Sequence, residues 1–329
     1  MHKILLNPGP TNTRYKTKEA QTNGSDVCHR TEEFKSILQQ TKNLLLKRFG
    51  SSCGFKIALL GGSGTIGMEA MISSLVDEKV VVLNAGIYGQ RAVDMLKIYG
   101  VEYTEVPVKD IRDVKPNEEY KCVYFVENET TTGEHFPLEI LAQKYPNAKF
   151  FIDATSSFGA SKYDDFLNRI NVISFCSNKC LQSTPGLGIV IWDERLKCHG
   201  RSYYCDLSRY TSESIPFTLP VQSVYALHST LEITSNHQEC FNERRDKLIL
   251  EFSKMGIESI NYLPSNSIIG FKHPTMKYEQ LRDFLYDRGL VIYAGVKGIE
   301  NSFRVSTMSS IFDDKFNFIM EKFNETCIR

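Results

Sequence analysis

Two side chains, Lys179 and Asp153, have the chemistry and the placement to act on one small molecule. Lys179 stands in Ser177-Asn178-Lys179-Cys180-Leu181-Gln182, just past the apolar run Val172-Ile173-Ser174-Phe175. Asp153 closes another such run, Phe150-Phe151-Ile152-Asp153. If the two runs are neighbouring strands of a parallel sheet, an amine and a carboxylate meet at one sheet edge. That pair suits pyridoxal 5'-phosphate (PLP), which needs an amine to form its Schiff base and an anion to keep its pyridine nitrogen protonated. An exposed loop lysine and a helix-capping aspartate are the plainer alternative, because both types are common at strand ends.

Three further segments fall at the ends of predicted strands, where open α/β sheets bind their ligands. In Gly61-Gly62-Ser63-Gly64-Thr65 the glycines permit a tight turn and leave free N–H groups at a helix start, a setting that favours phosphate. A strand–helix turn without ligand is the alternative. Gly62, Gly64 and Gly67 also match G-x-G-x-x-G, the dinucleotide-binding turn, which calls for an acid at the end of the next strand. That strand ends in Leu83-Asn84-Ala85, and Met68-Glu69 stands where a nucleotide P-loop carries Lys-Ser/Thr, so both nucleotide readings weaken. Tyr88, in Asn84-Ala85-Gly86-Ile87-Tyr88-Gly89-Gln90-Arg91, can lie flat on a planar ring or pack in the core. The hydroxyls of Glu129-Thr130-Thr131-Thr132-Gly133 can hold a phenolic oxygen or cap a helix.

The elements that must position these residues alternate from residue 55 to about 195. Strand-like runs are Ile57–Leu60, Lys79–Leu83, Tyr103–Pro107, Cys122–Val126, the aspartate and lysine runs, and Gly188–Trp192. Helical spacing fills Thr65–Val76, Tyr88–Tyr99 and Leu138–Tyr145 between them. Strands alternating with helices imply an α/β fold, with a largely parallel sheet covered on both faces. Val221–Met255 is helical in period and longer than one ordinary helix. From residue 257 onward strands at Ser267–Phe271 and Phe303–Ser306 mix with helices at Tyr278–Asp287 and Lys315–Phe323, which predicts a small α+β C-terminal domain.

The bulk composition narrows the partners. With 42% hydrophobic and 24% charged residues in 329, the chain reads as a soluble globular protein large enough for one big domain and a smaller one. Its 39 basic and 39 acidic side chains cancel without a basic stripe, so neither nucleic acid nor a membrane is expected as partner. The start, Met1-His2-Lys3-Ile4-Leu5-Leu6-Asn7-Pro8, breaks too early for a signal peptide, and a cytoplasmic location is expected. Nine cysteines without a C-x-x-C pair, and histidines without H-x-x-x-H or H-E-x-x-H, suggest neither a disulfide framework nor a metal site. Cys176 and Cys180 straddle Lys179, as packing residues or as a reactive thiol.

Taken in order, NPGPT, LGGSGT, NAGIYGQR, ENETTTG, DATSSFGA, SNKCLQSTPG and FTLPV resemble the class V, fold type I PLP-dependent aminotransferases. The likeness spans roughly residues 4 to 230, with a weaker echo around Arg304. ETTTG, DATSSFGA and SNKCLQ are most similar to the branch acting on 2-aminoethylphosphonate and pyruvate. The resemblance implies a mostly parallel sheet of the seven-stranded type between helices. It also implies an N-terminal arm (1–20) near the active site and the small domain, a large PLP-binding domain (21–230) and a small C-terminal domain (231–329). By the same resemblance Lys179 forms the Schiff base and Asp153 pairs with the pyridinium nitrogen. Ser63, Gly64 and Thr65 would hold the phosphate, Tyr88 would stack on the ring and Thr130 would reach its phenolic oxygen. Thr155 lies in the motif that lines the ring's other face. Thr218 matches a threonine given to the neighbouring subunit's phosphate, which implies a homodimer with active sites at the subunit interface. Arg304 matches the arginine that receives the substrate's acid group. His29-Arg30 resembles a segment near the active-site entrance and receives no role. The sequence departs from the family after Arg304, where Val305-Ser306-Thr307-Met308-Ser309 lacks the relatives' glycine-bearing turn, and the C-terminal region looks short.

The implied activity is a ping-pong transamination between 2-aminoethylphosphonate, or a closely related small amine, and pyruvate or another 2-oxo acid. Lys179 would then also move a proton, which requires its pKa to fall from about 10.4. Alternatives are an alanine– or serine–glyoxylate aminotransferase, one acting on a small phosphorylated carbonyl compound, an NAD-dependent oxidoreductase built on Gly62-Gly64-Gly67, and a scaffold without activity. A cysteine desulfurase wants a thiol on a mobile loop, and no cysteine here occupies a glycine-flanked loop.

Overall fold

Runs rich in Val, Ile and Phe with both faces apolar make strands that must be covered on two sides. In the computed structural model, which describes residues 3–24, 26–51, 53–211, 215–234 and 237–328, seven such runs form one sheet. They are β1 (Phe55–Gly62), β2 (Val80–Asn84), β3 (Tyr103–Pro107), β4 (Cys122–Val126), β5 (Lys149–Asp153), β6 (Ile170–Cys176) and β7 (Gly186–Asp193). Their spatial order is β1-β7-β6-β5-β4-β2-β3. Every neighbouring pair is parallel except those of β7, which runs antiparallel to both β1 and β6.

The period of two in each strand divides the core into two layers. Ile57 and Leu59 of β1, with Leu83, Val123 and Phe125, face Phe34, Leu38, Leu45 and Phe49 of helix Glu32–Phe49. Ala58 and Leu60, with Val82, Tyr124 and Trp192, face Met68, Met71 and Leu75 of helix Gly64–Leu75 and Val93 and Leu96 of helix Ile87–Ile98. Each layer buries one face of the sheet, as expected of an α/β fold. No helix among the described residues is long and apolar enough to cross a membrane.

The long helical stretch after residue 220 resolves into two helices, Val221–Ile233 and His237–Lys254. Beyond them Ile268–Lys272 and Ser302–Ser306 pair antiparallel at the centre of a four-stranded sheet flanked by Glu258–Ser259 and Tyr293–Ala294. Phe252, Phe271, Phe303 and Phe323 pack there, together with Ile4 and Leu6 from the chain's start. Ile4–Leu5 pairs parallel with Leu290–Val291, and the Ser306 N–H donates to the Leu6 carbonyl at 2.8 Å. The first two residues of the expected arm lie outside the described residues.

Candidate active site

Strand register brings the two key residues together. Asp153 is the last residue of β5 and pairs with Ser174 of β6, and Lys179 follows β6 in a tight turn. The turn is closed by Gln182 N–H to the Lys179 carbonyl at 2.8 Å, Ser183 N–H to the Ser177 carbonyl at 3.0 Å and Ser177 Oγ to the Thr184 carbonyl at 2.6 Å. Gln182 takes a positive φ of 59° there, and its amide donates to the Met308 carbonyl at 2.8 Å.

The half-buried Lys179 amine donates to the Pro8 carbonyl of the N-terminal arm. Gly9, at φ 126°, passes so close that a Cβ on it would lie 2.8 Å from Lys179 Cδ and 2.9 Å from Nζ. Only glycine fits that approach. Burial lowers the Lys179 pKa, and the Arg304 charge acts in the same direction, against Cys176, Cys180 and Asp153. Asp153 is 1% exposed. Its Oδ1 accepts from the Thr155 N–H at 2.9 Å, while its buried Oδ2 has no partner among the described residues. Desolvation pushes this carboxyl up to about 6, against the hydrogen bond from the Thr155 N–H.

The glycine turn lies close by. Ser63 caps helix Gly64–Leu75 in an extended conformation, with an exposed side chain that makes no capping bond. A Cβ on Gly64 would sit 2.9 Å from Thr155 Cγ2, so the helix start packs directly on the second residue past the Asp153 strand. Thr155 Oγ1 is buried and has no hydrogen-bond partner among the described residues. Thr65 Oγ1 accepts from Arg91 Nη1 at 2.8 Å, and the Arg91 guanidinium lies 4.8 Å from the Tyr88 ring centroid. Tyr88 is half-buried in the first turn of its helix, where its N–H donates to Glu129 Oε2 at 3.1 Å. Burial raises the Tyr88 phenol, against the Arg91 charge.

Thr130 and Arg304 complete the cluster. Thr130 Oγ1 lies 2.9 Å from Ser156 Oγ, and the Thr130 carbonyl accepts from Arg304 Nη1. Arg304 Nε donates to the Ala294 carbonyl at 2.6 Å on the adjacent strand. Two backbone carbonyls thus hold the guanidinium while Nη2 makes no hydrogen bond among the described residues. Burial lowers the Arg304 pKa, opposed by Tyr88, Tyr278, Glu129 and Tyr293.

Lys179, Asp153, Thr155, Gly64, Thr65, Tyr88, Thr130 and Arg304 therefore form one connected group at the carboxyl ends of β1, β2, β4, β5 and β6. Ser63 and Thr218 stand outside it with exposed side chains, although the Thr218 carbonyl would lie 4.0 Å from a Cβ on neighbouring Gly61. Cys176 and Cys180 pack: both are buried, and desolvation raises their thiols to about 11 and about 12. His29 Nε2 is buried without a partner among the described residues, and Thr31 beside it caps a helix. The sequence reading missed the Pro8 carbonyl, Arg91 and Glu129. Arg91 lies in a quoted motif; a backbone carbonyl leaves no signal at all.

The donor set fits PLP. A buried carboxylate oxygen lacking a partner suits a ring N–H, an amine on a depressed lysine suits an aldehyde, and the start of helix Gly64–Leu75 with Thr65 suits a phosphate.

Comparison with known proteins agrees. The chain is 28% identical to the 2-aminoethylphosphonate–pyruvate transaminase of Klebsiella pneumoniae subsp. pneumoniae, over 94% of each chain. It is 27% identical to the bifunctional phosphonoacetaldehyde hydrolase/aminoethylphosphonate transaminase of Clostridioides difficile, over 97% of this chain and 56% of that one. Its fold superposes on a subgroup IV aspartate aminotransferase from Thermus thermophilus with a TM-score of 0.88, at 24% identity and 98% coverage of both chains. The profile of the family described as "Aminotransferase class-V" matches residues 11–312, nearly the whole chain. The protein thus belongs to the class-V aminotransferases and is an enzyme that uses pyridoxal 5'-phosphate to move an amino group between an amino donor and a keto acid.

Proposed function

We propose that this aminotransferase moves an amino group between 2-aminoethylphosphonate, or a closely related small amine, and pyruvate or another 2-oxo acid. One observation carries the reading: the Arg304 guanidinium is held by the Thr130 and Ala294 carbonyls within the cluster around Lys179. A guanidinium steadied on two sides presents its remaining N–H groups to an acid, and a phosphonate or a carboxylate fits that fork. The likeness to the Klebsiella transaminase favours the phosphonate.

PLP, when bound, supplies an aldehyde for the amine and a ring that accepts an electron pair. Lys179 is the residue that binds it covalently and, once released, moves a proton at the substrate carbon. Its lowered pKa leaves more of the amine unprotonated at neutral pH. The Pro8 carbonyl accepts one N–H of the free amine, which steadies Nζ and leaves its lone pair available. Asp153 holds the ring nitrogen's proton through the oxygen that has no other partner. A cation there would draw its carboxyl back down from about 6, so it stays ionised at neutral pH. Ser63, Gly64 and Thr65 hold the phosphate, Tyr88 supports the ring, Thr155 lines its other face and Thr130 holds its phenolic oxygen. Thr218, exposed beside the glycine turn, reaches a second copy's phosphate in a homodimer with shared active sites.

A half-reaction screen tests this. The purified protein with PLP should show a visible band that disappears when 2-aminoethylphosphonate is added and returns with pyruvate. Loss of the band with alanine or serine alone, and recovery with glyoxylate alone, would reject the phosphonate and support a glyoxylate aminotransferase.

A further inference from the structure

Arg91 brings a guanidinium into the cluster for which the reaction above has no use. It lies near the start of helix Ile87–Ile98 and donates through Nη1 to Thr65, the second residue of helix Gly64–Leu75. Among the described residues it enters no ion pair. A cation beside the positive starts of two helices is unfavourable on its own account, since helix dipoles there favour anions. The Glu129 carboxylate offsets that at the start of helix Ile87–Ile98, where it accepts from the Tyr88 and Gly89 N–H groups, but the start of helix Gly64–Leu75 has no such anion among the described residues.

We propose that Arg91 positions the phosphate end of PLP through the Thr65 hydroxyl; this rests on the aminotransferase reading. A threonine hydroxyl has one proton and two lone pairs. With one lone pair taken by the Arg91 N–H at 2.8 Å, the Thr65 proton is turned away from the guanidinium and is free to donate to an anion. A charged donor behind it polarises that O–H and strengthens the donation. The Gly64 and Thr65 N–H groups that open the same helix have no hydrogen bond among the described residues, whereas the Ile66 N–H already donates to the Ser63 carbonyl at 3.1 Å. Arg91 also lies 4.8 Å from the Tyr88 ring centroid, so one side chain sets both the phosphate anchor and the aromatic that supports the ring. The Arg91 charge adds to the start of helix Gly64–Leu75 and makes a dianion the favoured occupant.

A merely structural tie between the two helices would make no distinction between ligands with and without phosphate, and this separates the two roles. Affinities for PLP and for pyridoxal, which lacks the phosphate, are measured by absorbance titration of the wild type, Arg91→Met, Arg91→Lys, Thr65→Val and the Arg91→Met/Thr65→Val double variant. Arg91→Met should weaken PLP by about tenfold to a hundredfold, the range of a charge-assisted hydrogen bond, and weaken pyridoxal far less, through the Tyr88 contact alone. Arg91→Lys should recover part of the loss. Adding Arg91→Met to Thr65→Val should cost much less than Arg91→Met alone, because the arginine acts through that hydroxyl. Equal weakening of PLP and pyridoxal, or no weakening of PLP, overturns the proposal. A wild type that takes up neither ligand would instead remove the reading beneath it.

Discussion

Asp153 shows how one side chain can weaken the cofactor-free protein and still serve the loaded one. Its carboxyl is buried and pushed up to about 6, against an unfolded value near about 3.9. Between those values the folded state holds a proton that the unfolded state has released. The contribution of Asp153 to the stability of the cofactor-free protein therefore falls as pH rises from about 4 to about 6 and stays low above that. The size is about 3 kcal/mol, from a shift of about two units. Asp153→Asn keeps the acceptor for the Thr155 N–H and removes the charge, so the urea midpoint of the variant relative to the wild type's should rise over that interval. Parallel curves would mean the carboxylate ionises without penalty. At this scale much of the site was legible. A charged residue at the end of an apolar run announces itself, as Asp153 and Lys179 did. The Arg91–Thr65 bond did not, because helix packing, and no local pattern, brings those residues together.

At the scale of elements, strands were easier to read than their directions. Tyr103–Pro107 and Cys122–Val126 form where the apolar runs predict them, and helix Tyr278–Asp287 keeps its predicted bounds. That β7 runs antiparallel was not readable, since a strand buried on both faces has the same composition in either direction. Helix Glu32–Phe49 went unassigned although its signals are plain. Thr31 precedes Glu32-Glu33, Phe34, Leu38, Thr41, Leu45 and Phe49 recur on one face, and Gly50 ends it at φ 93°. Thr31 Oγ1 accepts from the Phe34 N–H at 3.3 Å, so Thr31→Ala should cost about 1 kcal/mol in a denaturant titration, and Thr31→Ser should restore most of it. An unchanged midpoint for Thr31→Ala would show that the cap contributes nothing.

Across the whole molecule, the N-terminal arm joins parts that are far apart in sequence. It adds Ile4–Leu5 beside Leu290–Val291, gives the Leu6 carbonyl to Ser306 and the Pro8 carbonyl to Lys179, and sends Arg14 Nη1 to Gln182 Oε1 at 3.3 Å. Asn12 anchors it: its side chain accepts from the Leu5 N–H at 2.8 Å and Ser309 Oγ at 2.9 Å, and donates to the Lys3 carbonyl at 3.0 Å. Losing those bonds in Asn12→Ala should cost about 2–3 kcal/mol and loosen the segment that covers Lys179. Burial is the leading cause of the lysine's lowered pKa, and Gly9 is among the atoms that bury it. Uncovering the amine should therefore move its titration up toward the ordinary lysine value of 10.5. Competitive labelling of the cofactor-free protein with an amine-reactive anhydride, read by mass spectrometry across a pH series, gives the midpoint for Lys179 alone. Wild type should titrate below the ordinary lysine value, and Asn12→Ala should lie between the two. A destabilised variant whose Lys179 midpoint had not moved would mean that the arm braces the fold without setting the lysine's acidity.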